Sequence, residues 1–430
     1  MIDQRPAAGR SRRGRPPAPL QPSTSAAAQL GTELRAHRQA NDLTLTALAA
    51  RVGYSPQHIS EVEHGRATVT EAFLEVCDDE LAADGALMRL LPAVILEHAR
   101  QRSARVAARR DANSNGDQED AMDPTNRRDL AQAGATAALN LAVLTPPTRA
   151  GEVDPALPHH WERLLAIIGS HDAAHGPHDV LATARSELHI ISAHRAIASG
   201  ELRTALMRVE ARWAIHAAWL CEDTGDRRGR AALLERALHL AREADYPDLI
   251  AWARARQAQW SDPFRAMRLA EAALRTPRAG AQTRALCAIR AAHAHAHLTD
   301  SQATERILTD AQELATQDSA PPPLSVTRPL SEHVVRCWEA RCWAILSPAK
   351  GIALYDRVLR DWPRGRTRDG GLYLARLAIA CADAGELDRA RAEGRKAFAI
   401  ARTTKSSVAT RELKHLTATL NPDRSGPAGP

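Results

Sequence analysis

Aromatic residues make up only 3% of this 430-residue chain. Strand cores draw on Val, Ile and aromatics, so the scarcity argues against a β-sandwich. It favours helices packed closely through Ala and Leu. Lysine is nearly absent as well: Lys350, Lys396, Lys405 and Lys414 are the only four among 57 basic residues. A GC-rich coding sequence accounts for that bias, so Arg abundance alone implies no partner. The formal net charge of +6 permits an anionic partner without requiring one. The six cysteines are scattered and none forms a CxxC, which excludes a zinc knuckle or a thioredoxin motif of that spacing. Met1 is followed by Arg, Pro and Gly rather than an apolar segment, so reduced thiols and a cytoplasmic location are expected.

Catalytic signatures are missing too. There is no phosphate-binding glycine loop and no Ser flanked by glycines in a nucleophile elbow. Paired carboxylates such as Asp78-Asp79 read as a solvated helix face. His293 and His297 share one helix face, but no third ligand is placed with them; His171, His175 and His178 straddle Gly176-Pro177. The expectation is no enzyme, no cofactor and no metal. One uncharged stretch, Leu130 to Thr148, follows Arg127-Arg128 as an export signal would. It is rich in Ala, Thr, Asn and Gln and ends in Pro146-Pro147, whereas a spanning helix needs about 20 mainly apolar residues. It reads as an amphipathic helix opening the C-terminal domain, with no membrane partner.

The composition changes sharply along the chain. Residues 1–27 read as a disordered basic tail rich in Pro, Ala, Ser and Arg. Within it Arg13-Gly14-Arg15-Pro16 matches the core of a minor-groove arm, where a narrow A·T groove would attract Arg13 and Arg15; a solvated basic tail is the plainer reading. Residues 28–110 read as a compact helical unit with an Arg-rich trailing helix. Residues 111–126 carry five acids and no bases, a linker composition. From 127 to 420 helical periodicity dominates, and 421–430 form a second tail.

In that long segment the apolar positions Leu202, Ala205, Leu206, Val209, Trp213, Ala217 and Leu220 follow the three-four spacing of one helix face. Asp262-Pro263 and Ser347-Pro348 mark helix starts. Gly225-Asp226, Thr299-Asp300 and Gly385-Glu386 mark turns. The best repeat unit is 371–402, with Leu377-Ala378, Gly385, Ala390 and Ala397. Its spacing resembles the tetratricopeptide repeat, a helix pair of about 34 residues. Other units are degenerate, so a helical-repeat solenoid is the expected architecture.

The segment from Leu30 to Leu81 carries the most specific pattern. Leu34 is expected to begin a helix that ends near Asn41-Asp42. Thr44 caps a second, with Leu48, Ala49 and Val52 facing inward, and Gly53 ends it. Ser55 caps a third helix, with Pro56 at its first position, Ile59 and Val62 inward, and Gly65 at its end. Two short helices joined through Gly53-Tyr54-Ser55 are the helix-turn-helix arrangement.

These residues resemble the XRE/Cro type of helix-turn-helix regulator, in Leu48-Ala49-Ala50-Arg51-Val52-Gly53-Tyr54-Ser55 and Ile59-Ser60-Glu61-Val62-Glu63-His64-Gly65-Arg66. The resemblance implies a lambda-repressor-like fold whose third helix enters the major groove of double-stranded DNA. It places Pro56, Gln57, His58 and Glu61 at base edges, and Ser55, Arg51, His64 and Arg66 near phosphates. It also implies a structural ion pair between Arg38 and Glu63. Leu45 stands where the family has a polar residue, so no base contact is carried to it. The whole layout resembles actinobacterial-type regulators, with Gly85-Ala86-Leu87 after the fourth helix and Arg127-Arg128-Asp129-Leu130 opening the repeats. That implies a dimeric transcriptional regulator whose repeat groove takes a peptide, small-molecule or protein ligand. One feature opposes DNA binding: residues 28–82 hold four Arg against nine acids, and phosphate attraction dominates non-specific affinity. The alternative is a protein-interaction scaffold in which DNA binding is weak or vestigial.

Overall fold

The computed structural model describes residues 25–67, 69–114, 153–317 and 332–420. They fall into two compact units, one through His98 and one from Ala99. All regular elements among them are helices, as expected. The Arg13–Arg15 arm, most of the acidic 111–126 segment, the uncharged 130–148 stretch and the Pro-rich 320–330 stretch lie outside the described residues. No described helix is long and apolar enough to cross a membrane.

The first unit is built from α1 (Ala26–Ala40), α2 (Leu45–Val52), α3 (Pro56–Glu63), α4 (Glu71–Glu80) and the first part of α5 (Ala86–Ser114). Its start differs from expectation. Helix α1 begins at Ala26, eight residues before Leu34, because the Ser25 hydroxyl accepts the Ala28 N–H at 3.0 Å. The extra turns are held by burial: Ala27 is 5% exposed and Leu30 1%. Leu34, Leu48, Ile59, Phe73, Leu74 and Leu87 meet in one core. Helix α1 crosses α3 closely at Gly31, where a Cβ would lie 2.5 Å from the carbonyl oxygens of Val62 and Glu63.

Asp78 corrects another expectation. It is buried rather than solvated: its carboxylate accepts the backbone N–H groups of Gly85 at 2.5 Å and Leu87 at 2.9 Å. Those donors open α5 and have no partner within the helix. Only Asp79 of the pair faces solvent.

The second unit stacks helices in antiparallel pairs: α6 (Leu157–His175) with α7 (His178–Ile197), α8 (Gly200–Thr224) with α9 (Arg227–Glu243), α10 (Pro247–Ala258) with α11 (Pro263–Leu274), α12 (Ala281–His297) with α13 (Ser301–Thr316), α14 (Glu332–Leu346) with α15 (Pro348–Arg360), and α16 (Thr367–Asp383) with α17 (Leu387–Thr404). Helix α18 (Ser407–Leu420) closes the series. Pro263 and Pro348 stand at helix starts, and Asp226 and Asp300 cap α9 and α13 at the expected turns. Small residues bring α16 and α17 together: Ala378, Ala390 and Ala397 are fully buried.

The pairs do not form an open stack. Helices α8, α10, α12, α14, α16 and α18 pack each against the next, and α18 packs back on α8. Helix α6 lies against α16 and α17. The circuit is fastened by Asp223 at the end of α8. It is 1% exposed and accepts from Arg368 Nη1 at 3.2 Å, Ser406 Oγ at 2.5 Å and the Val408 N–H at 3.0 Å. Arg368 also reaches Asp172 of α6 at 3.2 Å, and the Trp219 indole donates to the same carboxylate. Burial pushes the Asp172 carboxyl up to about 7, against the opposing pull of Arg368.

Thr299 occupies the turn between α12 and α13 where the repeat pattern wants Gly, and it does so at φ 60°. A β-branched residue in that left-handed region is strained, by roughly 1–2 kcal/mol. Thr299→Gly should therefore raise stability by about 1 kcal/mol, read as a higher urea midpoint. A lower midpoint would mean that the Thr299 hydroxyl contributes more than its backbone costs.

Candidate nucleic-acid interface

Each local feature of the α2–α3 corner has a physical cause. The Thr44 hydroxyl accepts the Ala47 N–H at 3.1 Å and starts α2. Gly53 ends α2 at φ 74°, donating to the Ala49 carbonyl. Nothing lies within 4 Å of a Cβ built there, so the requirement is for the left-handed backbone, not for space. The Ser55 hydroxyl accepts the His58 N–H at 3.1 Å, and Pro56 takes the first helical position, which needs no donor.

This corner leaves Ser55, Pro56 and Gln57 exposed at the tip of α3. Gln57 Nε2 donates to Glu61 Oε1 at 3.3 Å, one turn along the same face. Pro56 presents no backbone donor. The Ser55 hydroxyl, already accepting, keeps its own proton for an acceptor such as phosphate.

His58 is placed differently from its helix neighbours. Its ring stacks on Tyr54 at 5.6 Å and meets the edge of Phe73 at 5.0 Å. Burial lowers its pKa, with Glu61 opposing, which favours the neutral imidazole. His64 is tied to the Ser60 carbonyl by Nδ1 at 2.6 Å, and its Nε2 lies 3.3 Å from Arg35. Arg51 pairs with Glu80 at 2.9 Å, both partly exposed. Arg66 is exposed and forms no ion pair among the described residues.

Arg38 and Glu63 form a buried ion pair, with Arg38 Nε 2.5 Å from Glu63 Oε1 and Nη2 2.9 Å from Oε2. The third guanidinium nitrogen donates to the Leu43 carbonyl at 2.7 Å. Sequence reasoning missed Arg35, which adds a second contact to Glu63 at 3.1 Å. Its spacing of three from Arg38 puts both on one face of α1, and that was the available signal. The net acidity of the module is thus partly internal. Glu63 lies between two arginines, Asp78 sits among backbone donors, and Glu80 is paired.

Among the described residues no group of three or more His, Cys, Asp or Glu side chains is arranged to hold a metal ion. Residues 29–91 match a protein family described as a helix-turn-helix domain. No curated protein and no solved structure matches the chain. The first unit is thus a helix-turn-helix domain, the class of module that supports DNA as a partner.

Proposed function

We propose that this protein is a sequence-specific, DNA-binding transcriptional regulator of the XRE/Cro type. The observation that carries the reading is the helix-turn-helix domain itself, with Pro56 and Gln57 exposed at the capped tip of α3. In this reading α3 enters the major groove. Gln57 pairs with an adenine edge, the geometry at which Gln is bidentate. Glu61, bonded to Gln57, holds that amide or accepts from cytosine. Ser55 and Arg66 meet phosphates, and Arg51 joins them by exchanging Glu80 for a phosphate oxygen. His58 supports the helix from behind, and His64 orients Arg35. The tetratricopeptide-like repeats dimerise the protein and sense an effector. Dimers of such modules read half-sites about 34–36 Å apart; light scattering that returns a monomer on DNA removes that part.

Gln57→Ala should leave folding within about ±0.5 kcal/mol, since the side chain lies outside the core. The specific complex should weaken by about 1–3 kcal/mol, while random DNA binds as before. Arg66→Ala should weaken binding to all sequences and reduce the salt slope by about one ion. Bound sites mapped across the genome would supply the operator, and gel shifts on it at graded salt would read these effects. Equal loss on specific and random DNA for Gln57→Ala removes it from base reading. No shift at low salt, with a stable protein complex instead, favours the scaffold.

A further inference from the structure

A second group of residues recurs along the helices that form the closed circuit of the second unit. Arg256, Arg290, Arg341, Arg376 and Arg411 stand on α10, α12, α14, α16 and α18. Arg256 and Arg290 are 34 residues apart, and Arg341, Arg376 and Arg411 follow one another at 35. Trp252, Trp338 and Tyr373 precede three of them by one helical turn, so each aromatic ring shares a face with its arginine. The fold gathers these positions. The Arg290, Arg341 and Arg376 guanidinium carbons lie 3.9, 4.8 and 5.7 Å from the Trp338 ring centre, from three different helices.

Carboxylates balance only part of this charge. Glu222 pairs with Arg256, and Glu412 with Arg376 at 3.1 Å. Arg290, Arg341 and the nearby Arg230 of α9 have no carboxylate at ion-pairing distance among the described residues. Each also keeps a buried nitrogen with no hydrogen-bond partner: Nε of Arg230 and Arg290, and Nη1 of Arg341. Arg290 is 9% exposed. A buried cation left in this way is costly. Burial, reinforced by the neighbouring arginines, holds Arg290 well below its usual pKa and brings Arg341 down to about 10. A cavity of about 220 Å³ lies beside Arg290. It is also lined by Gln259, Ser261 and His293, whose Nε2 has no partner either.

We propose that the cavity beside Arg290 binds a compact diphosphate-type anion, contacted by Arg290 and attracted by the nearby charge of Arg341. Planar guanidinium groups match phosphate oxygens in pairs of hydrogen bonds, and the unused donors here are guanidinium N–H groups. The cavity is too small for a duplex or a folded partner. The arginines therefore point to a small, highly charged ligand. The proposal specifies the ligand class for the effector-sensing part of the reading above, and it stands or falls separately from DNA binding.

The test uses the full chain and inorganic pyrophosphate as probe, followed by Trp fluorescence and calorimetry, with ADP and citrate in parallel. Pyrophosphate should bind and alter the Trp signal. Arg290→Met should weaken it roughly tenfold to a hundredfold, the size of a lost charge-assisted contact. The same substitution should raise the melting temperature of the ligand-free protein, because it removes an uncompensated buried charge. Tighter binding of ADP than of pyrophosphate would assign the diphosphate to a nucleotide; equal binding would assign it to the free anion. Absence of pyrophosphate binding to wild type, equal binding by Arg290→Met, or tighter binding of citrate would overturn the proposal. Should Arg290→Met fail to fold, Arg341→Gln, which removes only nearby positive charge, should still weaken pyrophosphate binding by a smaller factor, and unchanged binding by it would overturn the proposal. DNA binding measured without pyrophosphate should be the same in both variants, which separates this site from α3.

Discussion

Asp223→Ala should destabilise the second unit by about 3–5 kcal/mol, the largest stability effect expected in this protein. The carboxylate is almost fully buried and holds three partners from the far end of the chain: Arg368, Ser406 and the Val408 N–H. Removing it leaves Arg368, itself 6% exposed, with less negative charge around it and strands two further donors. Denaturant melts of the full chain would read the loss. Hydrogen exchange should show α8, α16 and α18 opening together, because the residue joins their ends. The control is Lys396→Ala, which breaks an exposed ion pair with Glu393 and should cost at most about 1 kcal/mol. A loss below 1 kcal/mol for Asp223→Ala would mean that closure of the circuit contributes little.

Arg38→Ala should have the second largest effect, about 3 kcal/mol in the first unit. The substitution leaves Glu63, 1% exposed, with one guanidinium instead of two and frees the Leu43 carbonyl. Arg35 remains at 3.1 Å, which places the loss at the lower end of the range for a broken buried pair. Lysine at this position carries charge but no fork, so Arg38→Lys should recover only part of it. Faster amide exchange in α1 and α3, with α16 and α17 unchanged, would locate the damage. Specific DNA binding should fall in step with the folded fraction. Full stability with binding lost would instead make Arg38 a DNA contact.

Much of the first unit was legible because its punctuation is local. Thr44, Gly53, Ser55 and Pro56 each act within a few residues, through a cap, a left-handed turn or a fixed φ, and each does so where the sequence indicated. The start of α1 was not legible, because Ser25 and Ala26 to Ala28 share the composition of the tail before them. The burial of Asp78 is hidden in the sequence for a different reason. Its partners are the free donors of α5, which exist only once the chain turns back after Leu81. His58 looked like its neighbours on α3, and only the packing of Phe73 against Tyr54 turns it inward. In the second unit, helix pairs and turns could be read from Ala, Gly and Pro positions, including the unusual Thr299. Closure could not: Asp223 and Arg368 are 145 residues apart, in a chain where Arg is everywhere. The same abundance hid the recurring arginines, whose 34- and 35-residue steps stand out only when alternate helices are set side by side.

The fastening of α8 to α18 also sets an order of events during synthesis. Asp223 and Val408 are 185 residues apart, and a ribosome adds about 5–20 residues per second. The carboxylate therefore waits for about 10–40 s after its own synthesis before its last partner exists. Through that interval the front helices have an unfinished edge, where α6 and α8 will later meet α16, α17 and α18. The early pairs can form as local hairpins, but the unit reaches its final stability only when the end of the chain arrives. A ribosome stalled anywhere before residue 408 thus holds a nascent domain without its clasp, the kind of species that chaperones bind and proteases cut.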